Sequence, residues 1–491
     1  MRTKTMLWMV LLFQLLLVPT GVVADEQQMK PVMVSPHDHE KRPSCRVCGM
    51  WIDQYIKTAG VVTYKDDSKE YTCGVACLLR EVEDVGGISE LKSAKVTDWV
   101  SGELVDADVA TYVVGSKVIP DMLPNYIAFA KRDEAEAFAA KEGGEVIDFS
   151  VAFQDSSPVG TTAPFRIRTA VTPGAGNFSV GMVYGYTEKN RVKNGSNGID
   201  AGEFIQANRG QAQAPDDVKI HSQAITFNYS PTDSLALFMN IPMAERRTHT
   251  LAQTAPNQAQ RFNETIADES GIGDILLEGR YNFWHSTRYD QFASLLLGTT
   301  LPTGEFEGTR AFNARVGRDL VARGPALQSG KETATFTGGL LYSQRWKDIW
   351  LHASALYNAN PENDDQFKFG DVVTGGLALH YTPNYDLMVG IELDSSYTQK
   401  NEDMGYKVGN SGGVVTNLAF VGDWRFLNAF GGNFKLRGSL GLPVYEDLNS
   451  QQINYVSNGP RSLTQVQAGD GFFGNLAVQW TFRDAPDHHN H

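Results

Sequence analysis

Apolar and polar side chains alternate along the chain from about residue 177 onward, in runs separated by turns. Because successive side chains of a strand point to opposite faces, each run predicts a strand with one apolar face and one polar face. In the run LMVGIELD, for example, the apolar face carries Leu387, Val389, Ile391 and Leu393. Twelve such runs occur, near residues 177–187, 218–229, 234–246, 271–284, 290–301, 333–345, 349–359, 369–381, 386–397, 413–426, 433–445 and 472–483.

The connections between these runs alternate in length. Those after the even-numbered runs are short (SPTD, HSTRY, WKD, TPNY and LNAFGG), whereas those after the odd-numbered runs are longer, as at 188–217 and 302–332. An even number of strands with short turns at one end and long loops at the other is typical of an outer-membrane barrel. We therefore expect an all-β, twelve-stranded antiparallel transmembrane β-barrel whose two chain ends lie on the periplasmic, short-turn side.

A soluble β-sandwich or jelly roll is the alternative architecture, since its strands also alternate between faces. Its loops have no reason to alternate in length, and aromatic residues here gather at strand ends, as membrane-interface girdles do. A polar lumen is required in any such barrel, so luminal charges specify no substrate, and a filled interior and a narrow pore both stay open. By parity, the charged lumen consists of Asp274, Glu278, Arg280, His352, His380, Glu392, Asp394, Lys435 and Arg437.

The first 24 residues have the pattern of a secretory signal peptide. Arg2 and Lys4 precede the apolar run MLWMVLLFQLLLV, and small residues lead up to Asp25. We expect cleavage after Ala24, and the alternative is a retained membrane anchor, for which the apolar run is shorter than the ~20 residues of a spanning helix. The formal net charge of −14 argues against a nucleic-acid partner.

The composition of the chain changes near residue 160. Upstream stretches such as KRDEAEAFAAKEGG favour helix, and the polar, proline-bearing stretch QDSSPVGTTAP suits a linker. We therefore divide the chain into a signal peptide (1–24), a polar segment (25–43), a small α+β domain (44–153), a linker (154–176), the barrel (177–483) and a histidine-rich tail (484–491).

All four cysteines lie in the small domain, in CRVCGMW and YTCGVACLL. Cys45 and Cys48 form a C-x-x-C pair, and Met50 adds a thioether beside it. Cys73 and Cys77 are four residues apart, so we expect a helix to stack both thiols on one face and its N-terminal dipole to favour thiolate. Soft sulfur ligands select Cu(I), or Zn(II) when four thiolates close a tetrahedron. Two disulfides are the alternative in an oxidising compartment.

Four stretches of this domain carry a family resemblance: CRVCGMWI (45–52), VVTYKDDSKEYTC (61–73), VTDWVSGELVDADVATYVVGS (96–116) and IPDMLPNYIAFAKRDEAEAFAAKEGGEVIDF (119–149). Together they resemble the NosL family of periplasmic copper-binding proteins. The resemblance implies a small α+β domain that binds Cu(I) through sulfur and passes it on.

Matched position by position, the resemblance implies Cys48, Met50 and Met122 as ligands, with Cys45 in the same motif. Cys73 falls where the family often has a cysteine. Cys77 is an addition to the family pattern, which leaves room for a thiolate-rich copper site, a Zn(II) site or a disulfide. The tracts HDHE (37–40) and DHHNH (487–491) are further candidates for weak Cu(II) or Zn(II) capture.

These patterns predict an outer-membrane protein that captures copper in the periplasm and hands it on by ligand exchange. The expected partners are a copper ion, outer-membrane lipid and a periplasmic cuproenzyme or copper carrier, with no nucleic acid. The sequence shows no nucleophile–base constellation and no phosphate-cradling loop, so we expect no catalysed reaction. Two competing hypotheses remain: a pore for a small organic solute with a disulfide-stapled N-terminal domain, and a thiol–disulfide oxidoreductase that uses Cys45 and Cys48.

Overall fold

A computed structural model describes residues 43–156, 163–207, 213–253, 262–313, 318–321, 328–456 and 460–483. The expected signal peptide, the HDHE tract and the tail at 484–491 lie outside these residues, as does the polar segment 25–43 except for Pro43. Among the described residues, no helix combines the length and the apolar character that crossing a membrane would need.

The N-terminal part is a small α+β domain with two antiparallel sheets, as expected. The strands are β1 Gly60–Thr63, β2 Lys69–Thr72, β3 Ser93–Thr97, β4 Leu104–Asp106, β5 Thr111–Val114, β6 Tyr126–Phe129 and β7 Glu145–Asp148. The first sheet has the order β2-β1-β3-β4 and the second the order β6-β5-β7. The helices are α1 Val75–Asp84, α2 Arg132–Glu142 and α3 Phe149–Asp155, with 3-10 turns at Ile52–Gln54 and Ile88–Glu90.

Helix α1 carries the apolar side chains that join the two sheets. Leu78 and Leu79 are fully buried against Val62 and Val96 of the first sheet and Tyr112 of the second. Each such side chain contributes about 1.5–3 kcal/mol when it leaves water. This packing holds the start of α1, where one of the four cysteines lies, in a fixed position against both sheets.

Twelve strands of the described chain close into an antiparallel barrel. The ring closes because the last strand pairs with the first, from Phe472 opposite Glu188 to Arg483 opposite Asn177. Each predicted run overlaps one of these strands, so the expected architecture is confirmed. Around the ring they are β8 Asn177–Lys189, β11 Gln213–Tyr229, β12 Leu235–Gln253, β14 Ile275–His285, β15 Gln291–Leu301, β18 Phe336–Trp346, β19 Ile349–Ala359, β21 Val372–Tyr381, β22 Leu387–Thr398, β25 Gly413–Ala429, β26 Gly432–Leu448 and β30 Phe472–Arg483.

The two ends of the barrel differ as the loop lengths predict. One end has the short turns 230–234, 286–290, 347–348, 382–386 and 430–431. The long connections at the other end carry the remaining described elements: β9 Arg191–Asn194, β10 Asn197–Ile199, α4 Ala201–Ala207, β13 Phe262–Ile272, β16 Arg310–Asn313, β17 Arg318–Val321, β20 Phe367–Lys368, β23 Glu402–Asp403, β24 Tyr406–Lys407, β27 Gln451–Val456, β28 Pro460–Gln465 and β29 Gln467–Gly469.

The barrel wall is apolar outside and polar inside. On β21, Leu377 and Leu379 are 52% and 46% exposed, whereas Ala378 and His380 are buried. On β22 the same alternation buries Glu392 completely. A membrane demands this arrangement, because lipid takes the apolar set and the lumen takes the polar set.

The described end of the expected linker lies inside the barrel and bonds to its interior face. We call residues 163–172 the luminal segment. The backbone N–H groups of Phe165 and Arg166 each donate to a carboxylate oxygen of Glu392 at 2.7 Å. On another part of the ring, Arg168 forms a two-pronged ion pair with Glu278, at 3.0 and 3.1 Å.

The backbone of the luminal segment continues to bond to the barrel wall beyond these ion pairs. The N–H of Ala170 donates to the Ser343 hydroxyl at 2.9 Å, and its carbonyl accepts from the Ser294 hydroxyl at 2.5 Å. The carbonyl of Val171 accepts from Arg280 at 2.9 Å. A buried backbone needs partners for its polar groups, and here strands from several sides of the lumen supply them. The segment therefore occupies the lumen at a defined position.

We predict that the luminal segment restricts current through the barrel. Replacing Arg166 and Arg168 together with serine removes the ion pairs to Asp394 and Glu278, and breaking a buried pair costs about 3–5 kcal/mol. The mean conductance in planar bilayers should rise severalfold. The control is Arg247→Ser, which breaks an exposed pair with Asp268 and should leave the conductance unchanged. Equal conductance in the double variant and the parent would contradict the prediction.

Candidate metal centre

The first cysteine pair lies on a tight turn. The N–H of Cys45 donates to the carbonyl of Met50 and the N–H of Gly49 donates to the carbonyl of Cys45, both at 2.7 Å. Gly49 adopts a φ of +81°, in the left-handed region that glycine tolerates best. This turn buries the side chains of Cys45, Cys48 and Met50 together.

The second pair is arranged differently from the sequence expectation. Cys73 lies between strand β2 and helix α1, and Gly74 in extended conformation caps the helix. Cys77 is the third residue of α1. The prediction that Cys73 and Cys77 share one helical face is therefore wrong, because Cys73 precedes the helix. Their sulfurs nevertheless lie 3.7 Å apart, since the chain turns into the helix between them.

The four thiols meet in one buried cluster. All four Sγ atoms lie within 4.8 Å of one another, with Cys48 and Cys73 at 3.4 Å, and all four cysteines are free. A tetrahedron of sulfurs around a metal at 2.3 Å has edges of about 3.8 Å, so the spacing fits a single ion. Disulfide sulfurs would lie at about 2.05 Å. The donor set is therefore chemically suited to one thiophilic metal.

The two predicted methionines lie at the same cluster. The Met122 sulfur is 3.9 Å from the Cys77 sulfur, and Met122 is half-buried against the group. Met50 is buried within it. All six residues singled out from the sequence thus come together, although they belong to three separate segments of the chain.

The pKa values of the clustered thiols are shifted in opposite directions. Burial raises the pKa of Cys45, but hydrogen bonds from the three other thiols outweigh burial and hold that pKa well below its usual range. Hydrogen bonds with the sulfurs of Cys45 and Cys48, together with burial, raise the pKa of Cys73 and Cys77. Mutual hydrogen bonding therefore stabilises the first negative charge and opposes further ones until a cation enters.

Charged residues next to the cysteines hold the first turn against helix α1, and the sequence analysis did not select them. Arg46 lies 3.5 Å from the buried carboxylate of Glu81, which also accepts a hydrogen bond from the Tyr64 hydroxyl. A guanidinium nitrogen of Arg80 contacts the Met122 sulfur at 3.6 Å. The sequence does contain a signal for the contact between Arg46 and Glu81, because Arg46 is a basic residue between the two cysteines of the C-x-x-C pair.

The cysteine turn is docked onto the short-turn end of the barrel. The side chains of Asn428, Arg425 and Asn433 donate to the carbonyls of Arg46, Val47 and Cys48 in that order, the last at 3.2 Å. Tyr385, from the turn 382–386, packs into the cysteine cluster. No local sequence pattern predicts these contacts, because the contacting residues are separated by more than three hundred positions in the chain.

Ion pairs fix the rest of the domain to the same end of the barrel. Arg288, in the turn 286–290, bonds Glu145 at 2.7 and 3.0 Å and Asp155 at 2.9 Å. Lys347, in the turn 347–348, pairs with Glu83 of α1 at 3.1 Å. These contacts come from other short turns at the same end of the barrel, so the domain is held at several points.

The chain is thus a transmembrane β-barrel that carries a small domain with a buried soft-donor cluster. It belongs to the family described as "Putative MetA-pathway of phenol degradation", whose family model matches residues 195–447, just over half of the chain. Residues 36–155 match the NosL family model, so the resemblance of the N-terminal domain is confirmed.

Three known proteins are similar to parts of the chain. The copper-binding lipoprotein NosL of Stutzerimonas stutzeri is 28% identical over 132 residues, which are 25% of this chain and 66% of that protein, so the chain spans just under two thirds of this curated relative. The copper chaperone NosL of Shewanella denitrificans is 22% identical, with 25% of this chain and 95% of that chain covered and a TM-score of 0.22. An outer membrane channel of Pseudomonas putida F1 is 13% identical, with 66% and 100% covered and a TM-score of 0.43.

We predict that docking of the cysteine turn depends on Gly49. A side chain at this position would clash with the carbonyl oxygen of Gly432 on the barrel, whereas Gly102, at a similar φ of +75°, has nothing within 4 Å of its would-be Cβ. Alanine should cost about 1–3 kcal/mol of backbone strain at either position. Gly49→Ala should lose further stability through the clash with Gly432. Proteolysis of the N-terminal domain should therefore be at least about fivefold faster in Gly49→Ala than in Gly102→Ala. Equal rates in the two variants would show that the close approach is dispensable.

Proposed function

We propose that this protein binds Cu(I) at the cysteine cluster and hands it on, as a copper-trafficking protein of the outer membrane. The observation that carries the proposal is the convergence of four thiols and a methionine sulfur on one buried point. The copper binding stated in the names of the NosL relatives agrees with it. Copper is cargo in this proposal, and no reaction needs to be catalysed.

The donor set favours Cu(I) among the ions that such a site would meet. Thiolates and thioethers are soft ligands, and a thioether ligand suits Cu(I) better than Zn(II). The ligands we propose are Cys45, Cys48, Cys73 and Cys77, together with the thioethers Met50 and Met122. Four thiolates alone would also satisfy tetrahedral Zn(II), which is therefore the competing ion.

The cluster has a closed side and a side that faces a cavity. Cys45, Cys73 and Cys77 are fully buried, whereas Cys48, Met50 and Met122 line a cavity of about 360 Å³ that continues into the barrel. An incoming ligand can reach the metal from that cavity. We infer that copper enters and leaves by ligand exchange at Cys48, Met50 and Met122, while the remaining thiols retain it.

The orientation that we propose places the cysteine domain in the periplasm. The domain lies at the short-turn end of the barrel, and short turns face the periplasm in outer-membrane barrels. The apolar outer wall supports insertion in the outer membrane. A copper carrier or cuproenzyme of the periplasm would then be the partner in exchange.

The pore hypothesis has one observation in its favour and one against it. The cavity beneath the cysteine cluster continues into the lumen, which suits passage of a solute. The luminal segment, however, bonds to strands around the ring and restricts any path. The redox hypothesis is less well supported by the geometry, because Cys48 lies close to Cys73 rather than isolated with Cys45.

We predict that the full-length protein in detergent binds one Cu(I) per chain under reducing conditions. Cys48→Ser and Met122→Ala should each weaken Cu(I) affinity by at least about tenfold in competition with a chromophoric Cu(I) chelator, since each removes a soft donor. The matched control is Met404→Ala, because Met404 is exposed in a loop at the opposite end. Affinity equal to the parent in both site variants would remove the proposed site.

The redox hypothesis requires a separate measurement. We expect the reduced protein to show no turnover in insulin reduction with a thiol reductant, because the thiol with the lowered pKa lies fully buried among three others. Turnover that Cys45→Ser abolishes would favour the oxidoreductase over copper trafficking.

A further inference from the structure

The cavity beneath the cysteine cluster has a surplus of positive charge. Seven basic and two acidic side chains of the described residues line its volume of about 360 Å³. Both acids are already engaged, because Arg168 binds Glu278 at 3.0 Å and Arg437 binds Asp423 at 3.0 Å. Neither acid forms a direct ion pair with Arg280, Arg425 or Lys435.

Three of these cations have unused donors. Arg280 and Arg425 each donate one N–H to a backbone carbonyl, of Val171 and Val47 respectively, but the buried Nε of each has no partner among the described residues. The side-chain ammonium group of Lys435 forms no hydrogen bond and no ion pair within the described part of the chain. Buried donors without partners cost free energy, so a site that retains them is suited to an anion.

The register of two strands brings two of these cations together. Arg425 on β25 and Lys435 on β26 are directly opposite each other in the antiparallel ladder, and both line the cavity. Directly opposed side chains have Cβ atoms about 4.5–5.5 Å apart, and like charges in this position destabilise a sheet. An anion between the two groups would turn this repulsion into attraction on both sides.

Apolar side chains also line the cavity, among them those of Phe165, Ile167, Phe238 and Leu123. Pockets of several hundred cubic ångströms with apolar walls and a few convergent polar groups are typical of small-molecule sites. A ligand with an anionic head and an apolar body suits both kinds of side chain in this lining.

We propose that the cavity is a binding site for a small organic carboxylate, held by Arg425 and Lys435 directly beneath the cysteine turn. Guanidinium and ammonium groups bind carboxylates through charge-assisted hydrogen bonds. The head group lies next to the turn of Cys45–Cys48, because Arg425 also bonds the Val47 carbonyl and Asn433 the Cys48 carbonyl. This site shares its cavity with the proposed copper ligands Cys48, Met50 and Met122, but it uses different residues and binds a different class of ligand.

The test is calorimetric titration of the full-length protein in detergent with benzoate and with its neutral isostere benzamide. Benzoate should bind at least about tenfold more tightly than benzamide, and Lys435→Gln should weaken benzoate binding by about the same factor. Lys435→Arg should retain binding. The matched control is Lys400→Gln, the same change in the loop after β22 at the opposite end of the barrel, and it should bind like the parent.

Several results would overturn the proposal. These are equal binding of benzoate and benzamide, full benzoate affinity in Lys435→Gln, and displacement of benzoate by an equal concentration of inorganic phosphate, which would show a site for charge alone. If the Lys435→Gln barrel fails to fold, the comparison of benzoate with benzamide on the parent protein and on Lys435→Arg still tests the proposed carboxylate site. Cu(I) stoichiometry measured on the same samples reports separately on the proposed copper function.

Discussion

Three consecutive carbonyls of the cysteine turn, those of Arg46, Val47 and Cys48, accept hydrogen bonds from side chains of the barrel strands β25 and β26. The rest of the site depends on this interaction. A turn that buries two cysteines exposes its carbonyls on the opposite side, and buried carbonyls need donors. The barrel supplies them, so the orientation of Cys45 and Cys48 is fixed by residues almost four hundred positions away in the chain.

The same docking places the cysteine cluster at one end of the luminal cavity. Cys48, Met50 and Met122 face the cavity, and the cationic groups of the barrel lie beneath them. A positive cavity beside the proposed Cu(I) site is electrostatically consistent, because a single Cu(I) with two or more thiolates would carry no positive charge. Domain and barrel therefore form one structural arrangement, in which residues of both line the same cavity.

Much of the fold follows from local sequence. The period of two in runs such as LMVGIELD indicates which side chains face lipid. The alternation of short and long connections indicates which end of the barrel carries the short turns and which carries the long loops. The spacing of Cys73 and Cys77, by contrast, gave the wrong local structure, because Gly74 caps the helix after Cys73. The polar stretch before the barrel has no periodic signal, and its position in the lumen depends on Glu278 and Glu392 from distant strands.

The sequence by itself determined the strand count, the two faces of the barrel and the set of four cysteines and two methionines, because each of these follows from residue type and spacing. Only the tertiary structure decided that the six residues converge, that the luminal segment lies within the ring, and that Arg425 opposes Lys435 beneath the cysteine turn. Those features depend on which strands pair and which surfaces dock. Apart from Arg425 and Lys435, which face each other across a short hairpin, the residues in these contacts are far apart in the chain, and no local pattern encodes them.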